Sequence, residues 1–89
     1  MMDYENIIHT LIDPILDEPT SVLIRVSEGN TPKDILIIIA AEKNDTARLI
    51  GHKGVIANAL REVVGVASKS ENKHVHLKFE SFEDEKVGD

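Results

Sequence analysis

Asp45-Thr46-Ala47-Arg48-Leu49-Ile50-Gly51-His52-Lys53-Gly54 is the stretch from which the chain is best read. Two glycines stand three residues apart with a basic pair between them, and helical patterns lie on both sides. Neither glycine carries a Cβ, so the backbone can turn tightly there with its N–H groups laid open. Bare amides beside a helix N-terminus attract an anion, because unsatisfied donors and the positive end of the helix dipole point the same way. His52 and Lys53 would add charge at the same spot. On its own the bland reading, a helix–helix turn without a ligand, carries more weight, so the flanking segments decide.

Downstream, Ile56, Ala59, Leu60, Val63, Val64 and Ala67 fall on one side of a second helix. Gly65 interrupts that pattern at a cost of about 1 kcal/mol against alanine, which points to fraying or close packing. Upstream of the glycines, residues 46–50 form a short helix that Asn44 or Asp45 can cap. Residues 34–40, Asp-Ile-Leu-Ile-Ile-Ile-Ala, read as a strand covered on both faces or lining an apolar groove. Residues 21–27 alternate, with Val22, Ile24 and Val26 one way and Leu23 and Arg25 the other, as a half-buried strand does. Tyr4, Ile7, Ile8, Leu11, Ile12 and Ile15 make a helical stripe that Pro14 and Pro19 bring to an end. His74 to Phe79 alternate as a last strand. Helix, strand, strand, helix, helix, strand is the resulting order, an α+β fold in two layers with three helices over a three-stranded sheet.

The chain has 89 residues, 42% of them hydrophobic, and no cysteine. That suits one domain over residues 1–80 with a packed core and an acidic tail over 81–89. No apolar run approaches the roughly 18 residues of a membrane span, and the acidic N-terminus is unlike a signal peptide, so a cytoplasmic protein with no membrane partner is expected. The formal charge of −6 is unevenly spread. Residues 1–44 carry three basic and eight acidic side chains, residues 45–78 six and three, and residues 79–89 one and five. The glycine pair thus lies in the only positive third of the chain, and phosphate responds to that local field.

Catalytic signals are missing. Asp13 and Asp17 sit in a proline-flanked turn, where turn formation explains them. His74 and His76 share a strand face but lack a third ligand, so no metal is expected. No nucleophile has a partner, and neither a cofactor nor a small-molecule substrate is implied. Aromatic residues are few (Tyr4, Phe79, Phe82), which argues against single-strand binders built on stacking sheets.

The element order, with G-x-x-G between the last two helices, resembles a type II KH domain of bacteria, in particular the small stand-alone proteins of the KhpA type. The resemblance covers Tyr4 to Glu80. It is carried by Leu11-Ile12-Asp13-Pro14-Ile15-Leu16-Asp17-Glu18-Pro19, by the Asp-x-x-Arg-x-Ile lead-in from Asp45 through Gly54, and by Ala57-Asn58-Ala59-Leu60-Arg61. It implies a cleft for about four nucleotides of single-stranded RNA. Amides of Gly51, His52, Lys53 and Gly54 would hold the phosphates, with Arg48 and Arg61 as further cations. Ile50 and Ala57 would floor the cleft, and the polar loop near Lys69 would close one side. It also implies RNA regulation, RNA chaperone activity or cell-shape control, and a homodimer or a heterodimer with a larger KH protein.

His52 stands where the family usually has lysine, and Val55 where it usually has a basic residue, so positive charge at the clamp is reduced. Histidine gains charge only towards pH 6, so binding is expected to tighten as pH falls. An affinity insensitive to pH, or unaltered in His52→Ala, would refute that. The alternative reading is a KH scaffold that pairs with another KH chain and has little or no RNA affinity.

Overall fold

The computed structural model describes residues 3–82. Its elements are α1 (Tyr4–Ile12), β1 (Leu23–Glu28), β2 (Asp34–Ala41), α2 (Lys43–Ile50), α3 (Val55–Lys69) and β3 (His74–Ser81), with short 3-10 turns at Asp13–Ile15, Pro19–Ser21 and His52–Gly54. The α-β-β-α-α-β order is the one expected. The strands lie side by side as β1-β2-β3. β1 pairs antiparallel with β2, and β2 parallel with β3. Parallel neighbours need a long crossover. Here α2 and α3 supply it, which places the two-glycine bend between them.

Asp3 caps α1, its carboxylate accepting the Asn6 N–H at 3.0 Å. The helix ends at Ile12, three residues short of the apolar pattern: Asp13 keeps helical backbone, but Pro14 has no N–H to continue the ladder, and the chain tightens into the Asp13–Ile15 3-10 turn. Tyr4, Ile8 and Ile12 are buried while Leu11 and Ile15 are exposed, so the packed stripe is narrower than expected. The Asp13 carboxylate meets His9 Nδ1 at 2.9 Å in the turn that follows.

All three helices cover one face of the sheet. Ile8, Ile12, Leu49, Leu60 and Val64 pack there against Val22, Ile37, Ile39 and Leu77. At ~25 cal/mol per Å² of apolar area removed from water, that shared burial is what holds a cysteine-free chain together. β2 alternates beneath them, with Ile37, Ile39 and Ala41 fully buried. Leu36, Ile38 and Ala40 point the other way, to a face that no described element covers. The isoleucine-rich run therefore belongs to a central strand with one open side, not to a strand covered twice.

Boundaries moved where side chains found distant partners. β1 starts at Leu23, after the Pro19–Ser21 turn. α2 starts three residues early, at Lys43, and neither Asn44 nor Asp45 caps it. β3 runs on to Ser81, which is buried, so Ser81 belongs to the sheet and not to the expected tail; residues 83–89 lie outside those described.

α3 continues unbroken through Gly65, and a Cβ built there meets nothing within 4 Å. The glycine marks neither fraying nor a close approach. Gly65→Ala is expected to stabilise the fold by about 1 kcal/mol, raising Tm by roughly 4–8 °C. A thermal melt showing no gain would contradict that account.

Candidate nucleic-acid interface

α2 ends at Ile50, and the chain reverses over four residues before α3 begins. Three of the four have positive φ: Gly51 (77°), Lys53 (55°) and Gly54 (78°). Gly51 combines φ 77° with ψ 174°, a region open essentially to glycine alone. A Cβ there would lie 2.6 Å from Ile56 Cγ1 and 3.0 Å from the Ile56 amide nitrogen. Gly54 is left-handed, with ψ 17°, but has open space around it. Lys53 holds a left-handed conformation that costs an ordinary residue about 1–2 kcal/mol.

The bend does not expose all four of its amides. The Gly51 N–H donates to the Ala47 carbonyl at 2.9 Å, closing α2, and the Gly54 N–H donates to the Gly51 carbonyl at 3.1 Å. These bonds leave the His52 and Lys53 amides for a ligand, the two that carry the basic side chains.

Beside the bend runs an open groove of about 420 Å³ lined by Ile50, Gly54, Ala57, Arg61, Leu77, Lys78, Phe79 and Glu80. Ile50, Gly54, Ala57 and Arg61, four of the residues singled out in the sequence, come together in it. α3 aims Ala57 and Arg61 at the groove because they lie one turn apart on the helix flank nearest β3. The Arg61 guanidinium reaches across to β3, donating to the Leu77 carbonyl at 3.3 Å and lying 5.7 Å from the Phe79 ring centroid. Its planar cation and the phenyl ring make one continuous surface in the wall of the groove.

β3 forms the opposite wall, which the reading of the sequence had not included. The alternation of residues 74–79 places Leu77 and Phe79 on the helix-covered face, and that was legible. What was not legible is that β3 is an edge strand, paired with β2 on one side only. Its other edge faces the groove. Leu77 presents a carbonyl there, and Phe79, of the same parity, directs its N–H and C=O the same way.

Arg48 and Lys69 are placed elsewhere. Arg48 Nη1 donates to Asp45 Oδ1 at 2.8 Å, and neither residue lines the groove. Asp45 is 1% exposed and also accepts the backbone N–H groups of Asp17 (2.8 Å) and Glu18 (2.9 Å). The Asp17 amide, with Glu18 and Arg48, holds the Asp45 carboxyl below its ordinary range although burial pulls the other way. Arg48 therefore balances a buried carboxylate. Lys69 ends α3, a 15-residue helix whose start is at the bend, roughly 20 Å away at 1.5 Å per residue.

A larger hollow of about 550 Å³ lies between the start of α1, the β1–β2 turn and the residues after α3. Asp3, Glu5, Glu28, Asp34 and Glu71 ring it, a field of the wrong sign for phosphate. The Tyr4 hydroxyl on its floor donates to Glu71 at 2.9 Å, and burial with that carboxylate pushes the phenol to about 12. His76 lies 3.6 Å from Asp34. Among the described residues no three His, Cys, Asp or Glu side chains could hold a metal ion, and no helix is long and apolar enough to cross a membrane.

Comparison with known proteins agrees with this geometry. The family described as KhpA/KhpB, KH domain, matches residues 5–79. RNA-binding protein KhpA of Bacillus subtilis is 33% identical over 79 residues, covering 89% of this chain and 93% of that protein. RNA-binding protein KhpA of Listeria monocytogenes is 30% identical over 73 residues, 82% of this chain and 93% of the relative. The Borreliella burgdorferi protein of that name is 28% identical over 80 residues, 86% and 95% of the two chains. No solved structure gave a significant match. With a mixed three-stranded sheet under three helices and a glycine-flanked bend between α2 and α3, the chain belongs to the KhpA/KhpB family of KH domains, in the type II form.

Proposed function

We propose that this protein is a non-catalytic binder of single-stranded RNA, serving post-transcriptional regulation. The observation that carries the reading is the groove beside the bend, with Gly54 of the bend in its lining and aliphatic and aromatic walls. Phosphates sit against the His52 and Lys53 amides and the Lys53 ammonium. Bases lie on Ile50, Ala57, Leu77 and Phe79, with Arg61 alongside. The outward N–H and C=O of Phe79 offer a base edge one donor and one acceptor. About four nucleotides fill such a site. So small a contact, after the losses of ordering both partners, gives weak binding with loose sequence preference. The relatives' name, RNA-binding protein, supports the assignment.

Titration with single-stranded RNA at low and physiological salt tests it. Each phosphate neutralised contributes about −0.7 to the slope of log affinity against log salt. His52→Asp combined with Lys53→Asp should abolish binding while leaving the melting curve intact. Binding unchanged by the double substitution would end the proposal.

One observation favours a second role, self-association. Val55, Ala59, Val63 and Val66 run along the exposed side of α3; Ala59 and Val63, expected within its packed stripe, are exposed, and the three valines are 58%, 46% and 72% exposed. An apolar row of i, i+4, i+8, i+11 spacing along a solvent-facing helix matches itself across a two-fold axis. A second copy of this chain is the occupant proposed, and a larger KH chain with a similar row would fit equally. Val63→Glu with Val66→Glu should convert a dimer to a monomer in sedimentation equilibrium. A wild-type protein that is monomeric at high micromolar concentration would exclude this role.

A further inference from the structure

We infer that single-stranded RNA longer than the groove continues over the β3 edge and across the open face of the sheet, where Lys78 and Arg25 flank Ile38 and hold further phosphates. The inference rests on the RNA reading above and names where the rest of the strand goes.

The register puts Arg25, Ile38 and Lys78 in one row across the three strands. Their side chains share the face that the helices leave uncovered. Neighbouring strands are about 4.8 Å apart, so the two cations stand roughly 10 Å from each other with the isoleucine between them. Neither side chain has a hydrogen-bond or ion-pair partner among the described residues. The next row sets Leu36 beside His76, extending the apolar strip along which bases can lie.

Lys78 joins the two surfaces. It lines the groove and, being on an edge strand, also stands on the open face. A strand seated against Leu77 and Phe79 meets Lys78 as it leaves. Two carboxylates lie near this path: Asp34 accepts from the Thr31 hydroxyl at 3.1 Å, and Glu80, which also lines the groove, stands one row from Lys78 on the open face, opposite Ala40. An acidic protein could use the same cations, but Lys78's place in the groove favours a ligand already bound there.

The test is NMR titration of the full chain with randomised-sequence RNAs of four and twelve nucleotides, with sedimentation to fix stoichiometry. Twelve nucleotides offer about nine registers to a four-nucleotide site, so wild type should gain clearly more than about ninefold in affinity. Arg25→Glu should remove that excess and flatten the salt slope by about 0.7, one phosphate, while affinity for the four-nucleotide RNA stays the same. Arg25→Gln should show the same trend with only the charge neutralised. A gain no larger than the register count, a gain that survives both substitutions, or two protomers on each twelve-nucleotide RNA would overturn the inference. Failure to bind either length would instead overturn the RNA reading on which it stands.

Discussion

Replacing Asp45 by alanine should lower folding stability by about 3 kcal/mol, the cost of breaking a buried charged network by removing one partner. Its carboxylate receives three donors, the amides of Asp17 and Glu18 and the Arg48 guanidinium, and is 1% exposed. Alanine would leave two part-buried N–H groups and an arginine unanswered. It would also release the segment between α1 and β1 from α2. Tm should fall by more than about 10 °C. Acid carries the same signature. A carboxyl held below its ordinary range stabilises the fold above about pH 4, and that contribution disappears as pH falls through its folded-state value. Asp45→Asn should therefore be less stable at pH 7 and should lose less of its stability between pH 7 and pH 3. Urea unfolding at the two pH values measures both effects. A variant as stable as wild type at pH 7 would show that the network contributes nothing.

Gly51→Ala is the second substitution expected to be severe, costing about 2–3 kcal/mol and much of the RNA affinity. Two penalties combine: a backbone region closed to residues with a Cβ, and a contact of 2.6 Å with Ile56 Cγ1. Ile56 Cγ1 could swing aside, but the Ile56 amide nitrogen at 3.0 Å cannot. Gly54→Ala is the control. It shares the positive φ without the collision, so about 1 kcal/mol is expected. Chemical denaturation of both proteins, with RNA titration alongside, ranks them. Equal losses would mean that the collision with Ile56 relaxes away, leaving φ as the whole cause.

The two glycines illustrate what a motif does and does not say. Two glycines and a basic pair announce a bend near an anion, and the bend is there. Nothing in the spacing separates Gly51, wedged against the first turn of α3, from Gly54, where an added Cβ would meet nothing. Likewise the sequence suggests four open amides, whereas closing α2 and the 3-10 turn consumes those of Gly51 and Gly54.

Arg48 shows the limit from another side. Charge and nearness to the glycines made it a candidate for phosphate, and Asp45 looked like a helix cap. Asp45 instead accepts from the amides of Asp17 and Glu18, 28 and 27 residues away in the chain, and Arg48 answers that same carboxylate. This contact also ties together two of the three stretches that carried the family resemblance, giving them a structural reason to occur together.

By itself the sequence determined the order of the elements, the centre of each helix stripe (Ile8 and Ile12 in α1, Leu60 and Val64 in α3) though not its width, the alternation of the strands and the place of the bend. Each is a local property, set by periodicity or by backbone freedom over a few residues. Tertiary structure alone decided that β3 is an edge lining the groove, that the second face of β2 stays open, that the valines of α3 look outward, and that Asp45 answers a distant loop. Those outcomes depend on which segments become neighbours, and side-chain periodicity along one segment does not encode its neighbours.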